Sequence, residues 1–310
     1  MLARRAKEKL PLGGNPQVET CGTKRNMKPK AFSIGGKKLS SQNPLIMGAL
    51  NITPDSFSDG GRFFHKTDAV KRAIKMIEEG ADIMDIGGES SRPGARPVPE
   101  KEELRRVVPV IEAIRKKSAV PISIDTTKAA VAKAALAAGA TLINDIGGFR
   151  DPAMAAVAAR HKAPVVVMHM RGDPRTMQKN PRYKDVVAEV CAWLAARCAM
   201  LEQQGVTKII VDPGIGFGKT VAHNVALLAG FSRIASLGYP ALLGASRKSF
   251  IGAVTGAAVE ERLPGTLAAH LWGVLAGASV VRVHDVAAHR QALDILDAVR
   301  GFGIVPRSLP

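Results

Sequence analysis

The stretch Leu45-Ile-Met-Gly-Ala-Leu-Asn51 is apolar until its last residue, and Ile52-Thr-Pro-Asp-Ser-Phe-Ser-Asp-Gly-Gly-Arg62 follows as a polar, glycine-rich exit. Turning a corner between two elements takes only roughly two to six residues. This exit is longer and carries an amide (Asn51), two carboxylates (Asp55, Asp59) and three hydroxyls. The pattern predicts a buried strand whose carboxyl end opens into a working loop.

Outward from that strand the chain repeats the unit. Ala31–Ser40 reads as a small hairpin turning at Gly35-Gly36. After the strand at Pro44–Leu50, Thr67 is placed to cap a helix carrying Val70, Ala73, Ile74 and Ile77, closed by Gly80. Further strands are predicted at 83–86, 121–125, 141–144, 164–168, 208–212, 239–245 and 279–283. Between them lie helices near 100–117, before Gly139, after the Asp151-Pro152 cap, from Tyr183 to Gln204, and near 221–231 and 261–277, with a last one at 286–299.

Eight strands alternating with eight helices predict right-handed crossovers and a parallel sheet. The span from residue 44 to 301 suits a (β/α)8 TIM barrel, of about 250 residues. An open doubly wound sheet is the alternative, but no G-x-G-x-x-G follows the first strand. Gly214-Ile-Gly-Phe-Gly-Lys219 resembles a phosphate loop without matching the P-loop or dinucleotide spacing.

Composition narrows the classes. No apolar run approaches the roughly 20 residues that span a bilayer. Met1–Leu10 lacks the apolar core of a secretory signal and the Ser-rich pattern of a mitochondrial presequence, so a cytoplasmic location is expected. Cys21, Cys191 and Cys198 are too few and scattered for a disulfide framework, and Cys191 and Cys198 share a helix face as core filling. Of the net charge of +17, residues 1–40 supply +8. Residues 1–30 are therefore expected to be a basic, disordered extension, preceding one catalytic domain at 31–310. A nucleic-acid role for that arm is the less favoured reading, because no aromatics are interleaved to stack bases. The charge left on the body suits anionic substrates.

A barrel of this kind works at the carboxyl ends of its strands. Those ends are Asn51, the Glu89–Gly94 loop, Asp125, Asn144, Met168-His169, Asp212, Ser246-Arg-Lys-Ser249 and Arg282-Val-His284. A lone Asp there is ordinarily a helix cap. A full ring of polar ends needs another reason. Asp125, Asn144 and Asp212 can accept from or pair with a flat heterocycle presenting N–H donors, since a carboxylate takes two parallel N–H bonds. Lys248 can donate to its ring carbonyl. Arg282, His284 and Asn51 suit an anion, and with Asp59 or Asp55 and Mg²⁺ they could hold a pyrophosphate. Arg92 and Ser91 can meet a carboxylate. His169 and His284-Asp285 also have plain readings, as a packed core histidine and a helix cap. No zinc-spaced Cys/His cluster and no G-x-S-x-G elbow occurs.

These motifs, in this order, resemble the dihydropteroate synthase family, pterin-binding enzymes of folate biosynthesis. The resemblance spans about residues 31–301 and rests on Asn51–Gly61, Asp85–Gly94, Ser123–Thr126, Asn144–Gly148, Met168–Met170, Asp212–Lys219, Ser246–Phe250 and Arg282–Val286. It implies a TIM barrel with an N-terminal hairpin covering the barrel bottom. It implies a transferase that joins 6-hydroxymethyl-7,8-dihydropterin diphosphate to p-aminobenzoate and releases pyrophosphate, with Mg²⁺ as cofactor. Asn51, Arg92, Lys248, Arg282 and His284 would be catalytic, and Asn51 with Asp59 would face the metal. Asp125, Asn144, Met168, Asp212, Lys248 and Arg282 would bind the pterin. Ser91, Arg92, Pro93, Phe217 and Ser249 would border the p-aminobenzoate pocket, where sulfonamides compete. Asp55, Phe57, Ser58 and Asp59 would form a lid. A homodimer is the family's usual assembly.

Ser91 stands where the family usually has Thr, which keeps the hydroxyl and removes a methyl. The Glu89–Gly94 loop carries no insertion. The expected chemistry is a dissociative substitution with the pterin bound first and no covalent enzyme intermediate, under loops 52–66 and 89–98 that exclude water. Two rival readings are a methyltetrahydrofolate–corrinoid methyltransferase, which shares the pterin grip but needs no diphosphate site, and a non-catalytic barrel with a nucleic-acid-binding arm.

Overall fold

The computed structural model of the chain describes residues 30, 32–52, 62–90 and 94–302. Strands β1 (Ser33–Ile34) and β2 (Lys37–Lys38) form the hairpin. The barrel strands are β3 (Leu45–Asn51), β4 (Ile83–Gly87), β5 (Ile122–Asp125), β6 (Leu142–Asp145), β7 (Val165–Met168), β8 (Ile209–Asp212), β9 (Ala241–Leu243) and β10 (Ala278–Val283). All eight pair in parallel in chain order, and β10 closes on β3.

Strand alternation sorts the core into two layers. Ile46, Ile86, Ile124, Ile143, Val167 and Val211 belong to the cluster packed against the surrounding helices. Leu45, Met47, Ile83, Leu142, Val166, Ile210, Leu242 and Val280 form a separate cluster inside the barrel, together with Ile34 and Leu39. The hairpin thus plugs the amino end of the barrel with two apolar side chains, as expected. Gly35 and Gly36 turn it with φ of 56° and 78°. A Cβ at Gly35 would lie 2.5 Å from Pro121 Cγ, so only glycine fits against the start of β5. Asp82 ties this end together. It pairs with Lys37 of the hairpin, accepts 2.8 Å from the Ile46 N–H, and pairs at 2.7 Å with Arg290.

The helices are α1 (Arg62–Glu78), α2 (Glu100–Arg115), α3 (Ala129–Ala137), α4 (Pro152–His161), α5 (Val186–Gln203), α6 (Val221–Ala229), α7 (Phe231–Ala235), α8 (Ser249–Thr255), α9 (Leu263–Leu275) and α10 (Val286–Gly301). Asp151 caps α4 through its carboxylate, 2.9 Å from the Ala153 N–H. Three expectations need correction. Thr67 is not a cap: α1 begins at Arg62, because no Gly or Pro interrupts residues 62–66. Strand β9 spans Ala241–Leu243 rather than 239–245, since Pro240 has no N–H to donate and the Ala245 N–H is used elsewhere. The helix near 221–231 divides at Gly230, and the short helix α8 was not anticipated. Cys198 is buried and Cys191 half-buried on α5. No helix among the described residues is long and apolar enough to cross a membrane.

Candidate active site

The inward parity that packs the bottom of the barrel also aims the side chains at its top. Two residues beyond Ser123, Leu142, Val166, Ile210 and Val280 come Asp125, Asn144, Met168, Asp212 and Arg282. Register sets Asn51, Gly87, Asp125 and Asn144 side by side on β3 to β6, and Met168 beside Asp212 on β7 and β8. A cleft of about 450 Å³ opens above them. It is lined by Asn144, Met168, Asp212, Phe217, Lys248, Arg282 and His284, among others. Sequence-predicted residues from four strands and three loops therefore converge on one cavity.

Beneath the cleft Arg282 is clamped between two carboxylates. Its Nε donates to Asp85 Oδ2 at 2.6 Å and its Nη2 to Asp125 Oδ2 at 2.7 Å. Asn144 Nδ2 donates 3.1 Å to the same Asp85 oxygen. Asp85 is fully buried, which is tolerable only because it is paired. It is a site residue that sequence reasoning passed over. Its signal was an acid in the middle of the apolar run Ile83-Met-Asp-Ile86. Burial pushes Asp125 up to about 7; Arg282 opposes this, while Asp85, Glu103 and Asp145 reinforce it. Burial also works against charge on Arg282, but Asp85 and Asp125 outweigh it and its pKa is raised.

Asp212 and Lys248 form the second half. Burial raises Asp212, opposed by the Gly214 N–H that its carboxylate accepts at 2.7 Å and by Lys248. Burial lowers Lys248 to about 8, with Asp212 holding it up. The Lys248 ammonium lies 4.1 Å from the centroid of the Phe217 ring. Phe217 sits in the loop that follows β8. Gly214 there has φ 68°, and a Cβ on it would lie 2.0 Å from the His169 carbonyl oxygen. The loop is fastened from behind by Lys219, which is 3% exposed. Its Nζ donates to Phe217 O (2.9 Å), His169 Nδ1 (3.0 Å) and His169 O (3.3 Å), which uses all three ammonium protons. Burial lowers Lys219 to about 7, and burial with the Lys219 charge lowers His169 to about 3. His169 is therefore a neutral core acceptor, in keeping with its plain reading.

The loops after β9 and β10 are joined side to side. Ser246 Oγ meets His284 Nδ1 at 2.9 Å and accepts 3.2 Å from the His284 N–H. Arg247 makes a two-pronged pair with Asp285. Asp285 begins α10 without a side-chain cap bond, so its carboxylate serves Arg247 rather than the helix. Burial, then Arg282 and Arg247, lower His284 to about 4, so it is neutral near pH 7.

Other predicted residues stand apart. Ser249 is exposed at the start of α8, outside the cleft lining. Asn51 is half-buried at the tip of β3. Gly87 lies between Asn51 and Asp125: a Cβ on it would stand 3.5 Å from Asn51 Oδ1 and 3.4 Å from Asp125 Cβ. No three His, Cys, Asp or Glu residues among those described gather as a metal site. One amide oxygen, that of Asn51, suits Mg²⁺ only in the mode where substrate oxygens and water supply most ligands. Asp55, Phe57, Ser58, Asp59, Ser91, Arg92 and Pro93 lie outside the described residues. The foot of the second loop is described: Glu89 accepts 3.0 Å from the Val98 N–H and 2.6 Å from Lys128, which also binds the buried Glu103.

Comparison with known proteins agrees with this geometry. The family described as "Pterin binding enzyme" matches residues 47–284. The dihydropteroate synthase of Synechocystis sp. is 48% identical over 82% of this chain and 89% of its own length. Among solved structures, Xanthomonas albilineans dihydropteroate synthase with 4-aminobenzoic acid superposes with a TM-score of 0.82 at 46% identity, covering 88% of this chain and 99% of that one. A sulfonamide complex of the Yersinia pestis enzyme gives 0.82 at 41% identity over 87% and 99%. These likenesses set aside the methyltransferase and nucleic-acid readings. By sequence, by barrel and by the ring of residues at its mouth, the chain belongs to the dihydropteroate synthase family of pterin-binding enzymes.

Proposed function

We propose that this chain condenses 6-hydroxymethyl-7,8-dihydropterin diphosphate with p-aminobenzoate, giving 7,8-dihydropteroate and pyrophosphate. The observation that carries the reading is the convergence of Asn144, Asp212, Lys248, Arg282 and His284 on one cleft. Asp212 and Asn144, with Asp125 beneath Arg282, can take the N–H groups of an amino-pyrimidinone, and Lys248 its carbonyl. The cleft therefore reads the pterin edge with charge-assisted bonds in a site shielded from water.

An aryl amine is neutral at pH 7 and needs no strong base to attack. The barrier lies in breaking the methylene–oxygen bond. Asp125 and Asp212 favour positive charge spreading from the exocyclic methylene into the dihydropterin ring. Arg282 and His284 face the leaving diphosphate and stabilise the negative charge that grows there. Mg²⁺, held by the diphosphate with Asn51 and Asp59, would neutralise that leaving group. The substitution is dissociative on this reading, with pterin bound before p-aminobenzoate. Phe217 and Ser249, with Ser91, Arg92 and Pro93, border the aminobenzoate site, where sulfonamides compete. Residues 31–310 form the catalytic unit, residues 1–30 a basic extension, and the working form is a cytoplasmic homodimer.

A pyrophosphate-release assay with and without p-aminobenzoate and Mg²⁺ tests the proposal. Release that requires both, and rapid-quench samples free of a pterin–protein adduct, are expected. A trapped adduct, or an Asp125→Ala variant with normal turnover, refutes the scheme.

A further inference from the structure

The parallel ladder between β9 and β10 ends at the Leu243–Val281 pair. Lys248 and His284 both lie beyond it, so something other than sheet hydrogen bonds must keep their two loops in step. Ser246–His284 and Arg247–Asp285 do this at the front. Behind them a third connection runs through the protein interior. The Ala245 N–H donates 3.0 Å to His270 Nε2 on α9. His270 Nδ1 lies 2.8 Å from His289 Nε2 on α10, and His289 Nδ1 lies 2.6 Å from the Asp285 carbonyl oxygen. Both histidines are 2% exposed.

The two ends of this chain fix every proton in it. A backbone N–H can only donate, so His270 Nε2 accepts and its Nδ1 carries the proton. A carbonyl can only accept, so His289 Nδ1 carries the proton and its Nε2 accepts. The two deductions meet at the central bond and agree: His270 Nδ1–H donates to His289 Nε2. Both rings must be neutral, because a second proton on either would set two N–H groups against each other. Burial lowers the pKa of both, which keeps them in that state.

We propose that His270 and His289 are positioning residues, a one-way neutral relay that holds the loop bearing Lys248 in register with the loop bearing His284. The proposal rests on the function assigned above for those two residues. It predicts that the pterin diphosphate end of the reaction depends on the relay more than the aminobenzoate end.

Two measurements test it on the full-length protein. In protein labelled with ¹⁵N-histidine, both rings should show the proton on Nδ1 and stay neutral from pH 6 to 8, with signals assigned by loss in His270→Leu and His289→Leu. A proton on Nε2 of either ring, for instance His270 turned toward the Leu243 carbonyl that also faces it, overturns the relay. In steady-state kinetics, His289→Leu should lower kcat and raise KM for the pterin diphosphate, together on the order of tenfold in kcat/KM, while KM for p-aminobenzoate holds within about twofold. His289→Gln keeps an amide oxygen near the Nε2 position and should restore most of the loss. Equal loss in the Leu and Gln variants, or a loss that only tracks folded fraction, overturns a positioning role. Should His289→Leu fail to fold, the wild-type tautomers decide. If wild-type protein releases no pyrophosphate, the assigned function fails, and the tautomers still report whether the relay exists.

Discussion

Arg282 Nη2 on β10 lies 2.7 Å from Asp125 Oδ2 on β5, a pair made across the barrel mouth by residues 157 apart in sequence. Asp85 takes the guanidinium Nε from β4, which lies between β3 and β5. One cation thus neutralises two buried acids, and removing it strands both. Arg282→Met should destabilise the fold by roughly 3–5 kcal/mol. Adding Asp125→Asn should recover part of that loss in a double-mutant cycle by urea unfolding. Strictly additive effects would show that the pair is not coupled.

Burial of Asp125 makes pterin binding depend on pH. In the folded protein Asp125 titrates at about 7, above its ordinary 3.8. Between those values the native state holds a proton that the unfolded chain has released, so Asp125 lowers stability as pH rises through this window. A ligand that donates N–H groups selects the ionised carboxylate. Affinity for a pterin should fall about tenfold per unit below pH 7, and binding near pH 6 should release a proton. Titration calorimetry in buffers of different ionisation enthalpy reads this directly, and Asp125→Asn should abolish the release.

Lys219 predicts a split between the two substrates. Lys219→Met keeps the volume and leaves three buried acceptors unpaired, a cost of roughly 1–3 kcal/mol for each group left unsatisfied, before relaxation. Phe217 would lose the anchor on its carbonyl. Thermal stability should fall, and KM for p-aminobenzoate should rise by more than KM for the pterin diphosphate. Unchanged p-aminobenzoate kinetics would break the link from Lys219 to Phe217.

The hairpin plug concerns stability alone. Ile34→Ala removes apolar volume from the cluster at the amino end of the barrel, far from the cleft. A loss of about 2–4 kcal/mol is expected, seen as a lower Tm, with kcat and both KM values unchanged at 25 °C. Altered kinetics in the folded variant would mean that the two ends of the barrel communicate.

Much of the site was readable because strand parity and strand ends are local properties. An apolar residue facing inward at one position predicts that the residue two further on also faces inward, and Ile210–Asp212 and Val280–Arg282 follow that rule. Asp85, Lys219, His270 and His289 escaped. The partner of each lies on another element, out of reach of any local pattern: Asp85 with Arg282, Lys219 with His169, His270 with His289. Ser249 stands apart from the cleft. It follows a motif into the start of α8, where the helix leaves it exposed and outside the cleft lining.

The chain's own pattern was enough to determine eight parallel units and a polar carboxyl end, because hydrophobic periodicity and the handedness of crossovers act over short stretches. Only closure of the barrel decided which of those polar ends share a charge. Joining β10 to β3 brings Arg282 to Asp85 and Asp125, and the packing of α9 against α10 joins the two histidines. Burial then set their protonation, since the cost of a charge depends on surroundings that distant segments supply.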